Sequence, residues 1–294
     1  MTSLDVGPVA RRRGPVPPEA LFVLGGIAQY SGASLAIGLF DHLRPATVAL
    51  LRVLGGALSL IAFSWLRRDH RRAARRPWTG WTRASVATAA AFGTATALMN
   101  LFIYEAFARI DLGKAVAIEF SGPIAVAAVL TRSRRNAAAV ALALVGVWTL
   151  STVEFDPAGT AWVLAASTMW AGYIVMGWRV ARLDRGLDGL VLGLVVGDLV
   201  LLPLAAPGLP AAFTAPRLLA TALLVGVLST GVAYGIDQHV LRLTSARRFA
   251  VIQALLPVTA VVIGAVTLAQ RPVPKELAGI ALVLGALMLQ TRDG

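Results

Sequence analysis

RRDHRRAARRPWTGWTR, residues 67–83, places seven arginines in one short gap between the apolar stretches 45–66 and 84–107. An arginine at mid-bilayer costs about 2.5–3.5 kcal/mol on insertion scales, so such a gap stays in water, and its charge favours the cytoplasmic side. Outward from it, apolar stretches recur at 19–40, 113–131, 136–153, 158–179, 187–206, 217–241, 246–269 and 274–291. Each is close to the ~20 residues that cross a hydrocarbon core as a helix. If 67–83 is cytoplasmic, alternate gaps hold 20 of the 27 Lys and Arg residues, the other gaps hold six, and Arg52 lies inside the second span. The bias predicts an all-α membrane protein of ten transmembrane helices with both termini in the cytoplasm.

Composition supports this reading. A chain of 294 residues that is 57% hydrophobic has too little polar surface to cover a soluble globule. The net charge of +12 comes from arginines that flank apolar spans. They suit the anionic lipid of a cytoplasmic leaflet, and binding to nucleic acid is not expected. With no Cys there is no disulfide framework, thiolate metal site or cysteine nucleophile. His42, His70 and His239 are scattered, and neither HExxH nor GxSxG occurs. An intramembrane enzyme is therefore disfavoured, and no metal or cofactor is implied. Residues 1–18, with Arg11 to Arg13 and then Pro15, Pro17 and Pro18, read as a disordered cytoplasmic tail. A signal peptide shares that basic-then-apolar order, but no soluble domain follows for it to export.

An internal repeat organises the spans. AVAIEFSGPIAVAAVLT (115–131) and FAVIQALLPVTAVVIGAV (249–266) align on Pro123 and Pro257, so that Ile118 meets Ile252 and Glu119 meets Gln253. After a five-residue slip, VALALVGVWTL (140–150) matches GIALVLGALML (279–289). The alignments place the fourth and fifth spans over the ninth and tenth, giving five-helix units at 19–153 and 158–291. Because five is odd, the second unit enters the membrane from the opposite side, the inverted repeat of alternating-access transporters. The competing explanation is chance likeness among Ala, Val, Leu and Gly-rich helices.

Polar residues inside the spans carry the expected chemistry. Thr96, Asn100, Tyr104 and Phe107 recur at helical spacing on one face of the third span. Glu119 and Ser121 precede Gly122 and Pro123, and a proline there frees a carbonyl one turn earlier. Trp170 and Tyr173 lie in the sixth span, Ser229, Thr230, Tyr234 and Asp237 in the eighth, and Gln253 in the ninth, four residues before Pro257. Asn100, Tyr104, Glu119, Trp170, Tyr173, Tyr234 and Gln253 make a candidate set for a small polar or zwitterionic solute. Glu119, Asp237 and Asp198 are carboxyls at membrane depth and candidates for proton exchange. Interhelical hydrogen bonding accounts for single Ser and Thr residues equally well.

Glu119 sits six residues below the outer end of its span, roughly 9 Å, and Asp237 near the cytoplasmic end of its own, where Arg242 or water can meet it. Arg52 reads as structural, capping carbonyls or pairing with a carboxylate such as Asp198. Pro123 and Pro257 read as structural breaks. Lys114 falls with the outer-gap charges and Glu105 at the outer rim. Gly189, Gly193 and Gly197 form a small-residue stripe for packing within the bundle or for a homodimer seam. Trp78 and Trp81 read as an interfacial anchor.

The run NLFIYEAFARIDLGKAVAIEFSGPIAV (100–126), Arg52 in ALLRVLGGAL, residues 167–174 and the stretch from Ser229 to Asp237 resemble the EamA-type drug/metabolite transporters. They come nearest the threonine and homoserine exporter subfamily of bacterial inner membranes. The resemblance covers about residues 20–291 and rests most on Asn100, Tyr104, Arg109, Gly113, Glu119, Phe120, Gly122 and Pro123. It implies ten helices in two inverted halves, a central pocket and export of amino acids or related metabolites from a bacterial inner membrane. Asn100, Tyr104, Glu119, Tyr234 and Asp237 match positions the family keeps polar, with Asp237 in place of the usual Glu. Departures are the loss of family acids at Leu256 and Gln270, Ala269 in place of a Gly, and Asp198 where the family is small and apolar. The expected activity is transport of a small polar metabolite by a monomer or homodimer, with drug or secondary-metabolite efflux as the alternative.

Overall fold

The computed structural model describes residues 17–66, 82–130, 134–151, 156–181, 187–233, 236, 240 and 255–290. Among them there is no strand. The helices are α1 (Pro18–Gly38), α2 (Pro45–Leu66), α3 (Arg83–Phe107), α4 (Leu112–Glu119), α5 (Ser121–Leu130), α6 (Arg134–Ser151), α7 (Pro157–Ala181), α8 (Leu187–Ala205), α9 (Leu209–Thr214), α10 (Pro216–Gly226), α11 (Leu255–Thr267) and α12 (Pro274–Gln290). A 3-10 turn, Ala206–Gly208, joins α8 to α9, and a π-helical segment, Val227–Val232, continues α10.

Local chemistry sets the boundaries. α1, α2, α7, α10 and α12 each open on a proline, whose fixed φ suits the first helical position and whose missing N–H is an orphan there anyway. α3 opens on a capping box, with the Thr82 side chain accepting from Ser85 N and the Ser85 side chain accepting from Thr82 N. The fourth apolar stretch is interrupted at Phe120, dividing it into α4 and α5. Pro123 supplies the reason, since it cannot donate to the carbonyl of Glu119 four residues earlier. The seventh stretch runs past its expected end, continuing through the 3-10 turn to Thr214.

Four helical segments among the described residues are long and apolar enough to cross a membrane, Glu19–Gly38, Pro45–Phe63, Arg83–Phe107 and Gly189–Thr214. Shorter apolar helices cover Ala137–Leu150, Pro216–Val232 and Leu255–Thr267. Their outward faces carry Leu58, Leu144, Trp148, Leu199 and Val266, all exposed, which is the surface a lipid solvent accepts.

α3 packs on α7, and α10 with the π segment packs on α1. α3 packs on α8, and α10 packs on α2. α5 packs on α7, and α11 on α1. α2 meets α8, α4 meets α11 and α6 meets α12. The last pair joins the two aligned segments 140–150 and 279–289 through Gly146 and Gly279, where a Cβ on Gly146 would stand 2.9 Å from the Gly279 carbonyl oxygen. Gly193 and Gly197 of the glycine stripe lie against Ala89, Phe92, Gly93 and Ala97 of α3, so their close approach is spent inside one chain. Residues 1–16, the arginine-rich 67–81 with Trp78 and Trp81, Tyr234, Asp237 and Gln253 lie outside the described residues.

Candidate functional site

α4 is buried along its whole length, and its C-terminal residue Glu119 is 9% exposed. Beside it, α2 contributes Arg52 at 5% exposure and α3 contributes Tyr104 at 0%. The Arg52 guanidinium lies over the Tyr104 ring, 5.2 Å from its centroid, a cation–π arrangement. Its charge acts on Glu119 as well as on Tyr104. The pairing with Asp198 allowed by the sequence is not what the fold builds. Arg52 lies over Tyr104 of α3, and the enclosed Asp198 Oδ1 has no hydrogen-bond partner among the described residues.

Two devices hold this cluster in place. Gly226 of α10 lies against the Arg52 carbonyl and the Gly56 amide so closely that a Cβ there would overlap them. The Tyr104 ring is fixed by Phe40, edge-on at 5.8 Å, and by Phe107 at 5.9 Å. One turn N-terminal on α3, Asn100 Nδ2 donates to the Thr96 carbonyl at 2.8 Å, and Thr96 Oγ1 donates to the Phe92 carbonyl at 2.8 Å. Asn100 Oδ1 and the Tyr104 hydroxyl are buried polar atoms with no hydrogen-bond partner among the described residues. Thr96, Asn100, Tyr104 and Phe107 are all buried, as their spacing predicts.

Below the break at Phe120, the Ser121 and Ser167 hydroxyls meet at 2.9 Å and tie α5 to α7. Trp170 stands edge-on to Phe120 at 4.8 Å, and Tyr173 is tilted on Phe92 at 4.8 Å. Trp170 and Tyr173 are thus engaged with rings at the α4–α5 break and on α3. Asp198 is half-buried on α8, with Oδ1 enclosed and unpartnered among the described residues. Pro123 is half-buried in the first turn of α5 and Pro257 is buried in α11. Glu105 pairs with Arg109 at 2.9 Å near the end of α3, in keeping with a rim position.

Lys114 requires a correction. Grouped by sequence with the outer gap, it is 5% exposed within α4. Glu276 of α12, 6% exposed and lining the same small pocket, is a buried carboxyl that sequence reasoning passed over. Gln270, read as the loss of a family acid, accepts a hydrogen bond from Leu112 N at 3.2 Å and so caps the start of α4. A lysine inside the otherwise apolar run from Leu112 to Ile118 was the available signal.

Residues 157–292 match the EamA-like transporter family. The chain is 29% identical over 291 residues to the threonine/homoserine exporter RhtA of Escherichia coli strain K12, across 97% of this chain and 95% of that protein. The same identity and coverage hold for the threonine/homoserine exporter RhtA of Salmonella typhimurium strain LT2. A solved crystal structure shares the fold with a TM-score of 0.56 at 20% identity, covering 92% of this chain and 95% of its own.

Proposed function

From a chain that carries an EamA-like domain at residues 157–292 and is similar along nearly its whole length to threonine/homoserine exporters, we propose a membrane exporter of a small amino acid or amino-acid-like metabolite. That full-length likeness carries the reading, and the site gives it a mechanism. A buried guanidinium on α2 and a buried carboxyl at the end of α4 match the two charges of an amino acid, with Arg52 taking the carboxylate and Glu119 the ammonium. Asn100 Oδ1 and the Tyr104 hydroxyl offer hydrogen bonds to a side-chain hydroxyl. Trp170 and Tyr173 are assigned to the wall of the substrate path, and Tyr234 and Gln253 to substrate binding from their place in the sequence alone.

The packing supports alternating access. Exchanging α1, α2, α3 and α5 with α7, α8, α10 and α11 maps α3–α8 onto α10–α2, and α5–α7 onto α11–α1. This correspondence supports two inverted five-helix halves, 19–153 and 158–291, in a ten-span inner-membrane protein with cytoplasmic termini. Proton coupling is assigned to Glu119, with Asp198 and Asp237 as further exchange points. When the ammonium leaves, the Glu119 carboxylate takes up a proton, and that proton leaves when the next substrate arrives.

Proteoliposomes holding the purified protein should exchange labelled L-threonine or L-homoserine against an unlabelled internal pool. Glu119→Gln should insert and fold but exchange at least roughly tenfold more slowly, with a flattened pH profile. No exchange by the parent with either amino acid would sink the export reading. Consumption of either one in detergent would point to an enzyme instead.

A further inference from the structure

Among the described residues, Val227–Val232 alone is π-helical, and it lies where α10 crosses α2, the helix that carries Arg52. Its hydroxyls are unusual. Elsewhere a helical threonine satisfies its hydroxyl locally, as Thr88, Thr96, Thr149, Thr168 and Thr259 do by donating to the carbonyl four residues earlier at 2.8–2.9 Å. Thr230 does not. It is 2% exposed, and its Oγ1 has no hydrogen-bond partner among the described residues. In a π turn the amides bond five residues back, so the Gly226 carbonyl no longer lies under the Thr230 hydroxyl as it would in an α-helix.

The neighbouring hydroxyl has the opposite preference. Ser229 Oγ reaches out of its own helix and donates to the Gln29 carbonyl of α1 at 2.9 Å, above Gly32, where a Cβ would collide with it. Gly231 in turn lies against Ser59 of α2. The π form is thus held from outside, by α1 and α2, while one of its own hydroxyls stays unpaired at a cost. An α-helical form would pair Thr230 with Gly226 and turn Ser229 away from Gln29. One hydrogen bond replaces another, so hydrogen-bond count favours neither form. The change would also be felt at Arg52. Gly226 presses on the Arg52 carbonyl and the Gly56 amide, and Thr230 packs on Gly56, so in a close-packed seam the α2 backbone has to follow the π segment.

We propose that Val227–Val232 is a two-state element, π-helical here and α-helical at another stage of the transport cycle, and that Thr230 is the positioning residue that favours the α form and through it shifts Arg52 in the central site. It rests on the export reading for the cycle it serves, and it gives that cycle a bistable part.

The test uses the purified full-length protein with two conservative variants, Thr230→Val, which keeps the shape and removes the hydroxyl, and Thr230→Ser, which keeps the hydroxyl. Thermal unfolding in detergent, L-threonine exchange in proteoliposomes and deuterium uptake by the amides of residues 227–233 are measured on each. Thr230→Val should unfold at the same or a higher temperature, because it removes an unpaired buried hydroxyl, yet exchange up to roughly tenfold more slowly, the factor that one hydrogen bond is worth. Its deuterium uptake should fall, since excursions out of the π form become rarer. Ser229→Ala should raise that uptake, and Thr230→Ser should stay within about twofold of the parent in exchange. A merely structural Thr230 would lower unfolding temperature and exchange together. That result, parent-like exchange in Thr230→Val, or equal slowing by Val and Ser would overturn the switch. If the parent exchanges neither L-threonine nor L-homoserine, the export reading fails while deuterium uptake still decides the two-state element. Exchange by the parent with the same uptake in every variant would fail the switch alone.

Discussion

The α3–α8 crossing and the α2–α10 crossing solve one packing problem in two ways. At the first, Gly93 meets the Gly193 backbone and Gly197 meets the Gly93 carbonyl, and both helices stay α-helical through the contact. At the second, Gly55 meets the Leu223 backbone and Gly226 meets the Arg52 carbonyl, but α10 ends there and passes into the π-helical Val227–Val232. The first seam is lined by Ala89, Phe92 and Ala97. The second brings Thr230 of the π segment onto Gly56, while the neighbouring Ser229 Oγ turns to α1 and donates to the Gln29 carbonyl at 2.9 Å. A π turn holds an extra residue and weaker hydrogen bonds, and such turns gather at functional sites. The deformable seam is the one that carries Arg52.

That difference can be broken by mutation, and the largest effect should come from the cluster itself. Arg52→Gln removes the cation from Tyr104 and Glu119 and should cost about 3–5 kcal/mol, the range for leaving one buried partner of a charge pair alone. Thermal unfolding in detergent measures it, and a loss under about 1 kcal/mol would reduce Arg52 to a packing residue. Next, Gly93→Ala drives a Cβ into the Gly193 carbonyl and should cost roughly 1–3 kcal/mol by overpacking. Gly226→Ala should cost less, because the adjoining π turn can shift. Equal losses at the two glycines would show that the π segment absorbs nothing. Ser229→Ala should lose about 1 kcal/mol or less, the net worth of one hydrogen bond, and should slow exchange more than it lowers stability. The smallest effect is a gain. Ala269 holds φ 54°, in the left-handed region that suits glycine, so Ala269→Gly should stabilise by roughly 0.5–1 kcal/mol. A lower unfolding temperature in that variant would show the turn is unstrained.

Much of the fold was legible because a bilayer demands long apolar runs and punctuates them with proline and arginine. The break in the fourth stretch followed from Pro123, although its place at Phe120 depended on which carbonyl lost its donor. Within the site, Asn100, Tyr104 and Glu119 stood out as polar groups in apolar surroundings, and all three are buried. Partners were not legible. Arg52 could meet a carboxyl on any neighbouring helix, and only the packing of α2 against α3 and α10 turns it to Tyr104 and Glu119 rather than Asp198. Lys114 was misplaced because it stands two residues from a gap, where linear distance to water is short and three-dimensional burial is complete. Gln270 read as a missing acid, yet its carbonyl oxygen serves the start of α4 as an acceptor without needing a charge.

The interlocked glycines also bear on how such a chain can drift over generations. At Gly93, Gly193 and Gly226 the first atom of any side chain meets a carbonyl or amide of the opposing helix, so a change there succeeds only with a matching shift across the seam. Leu144, Leu199 and Val266, which face outward, can exchange among apolar residues one at a time. Lineages of this protein should therefore diverge fastest where they touch lipid and stay nearly still along two narrow lines of crossing, so that a count of tolerated substitutions by position would trace the seams without any coordinates.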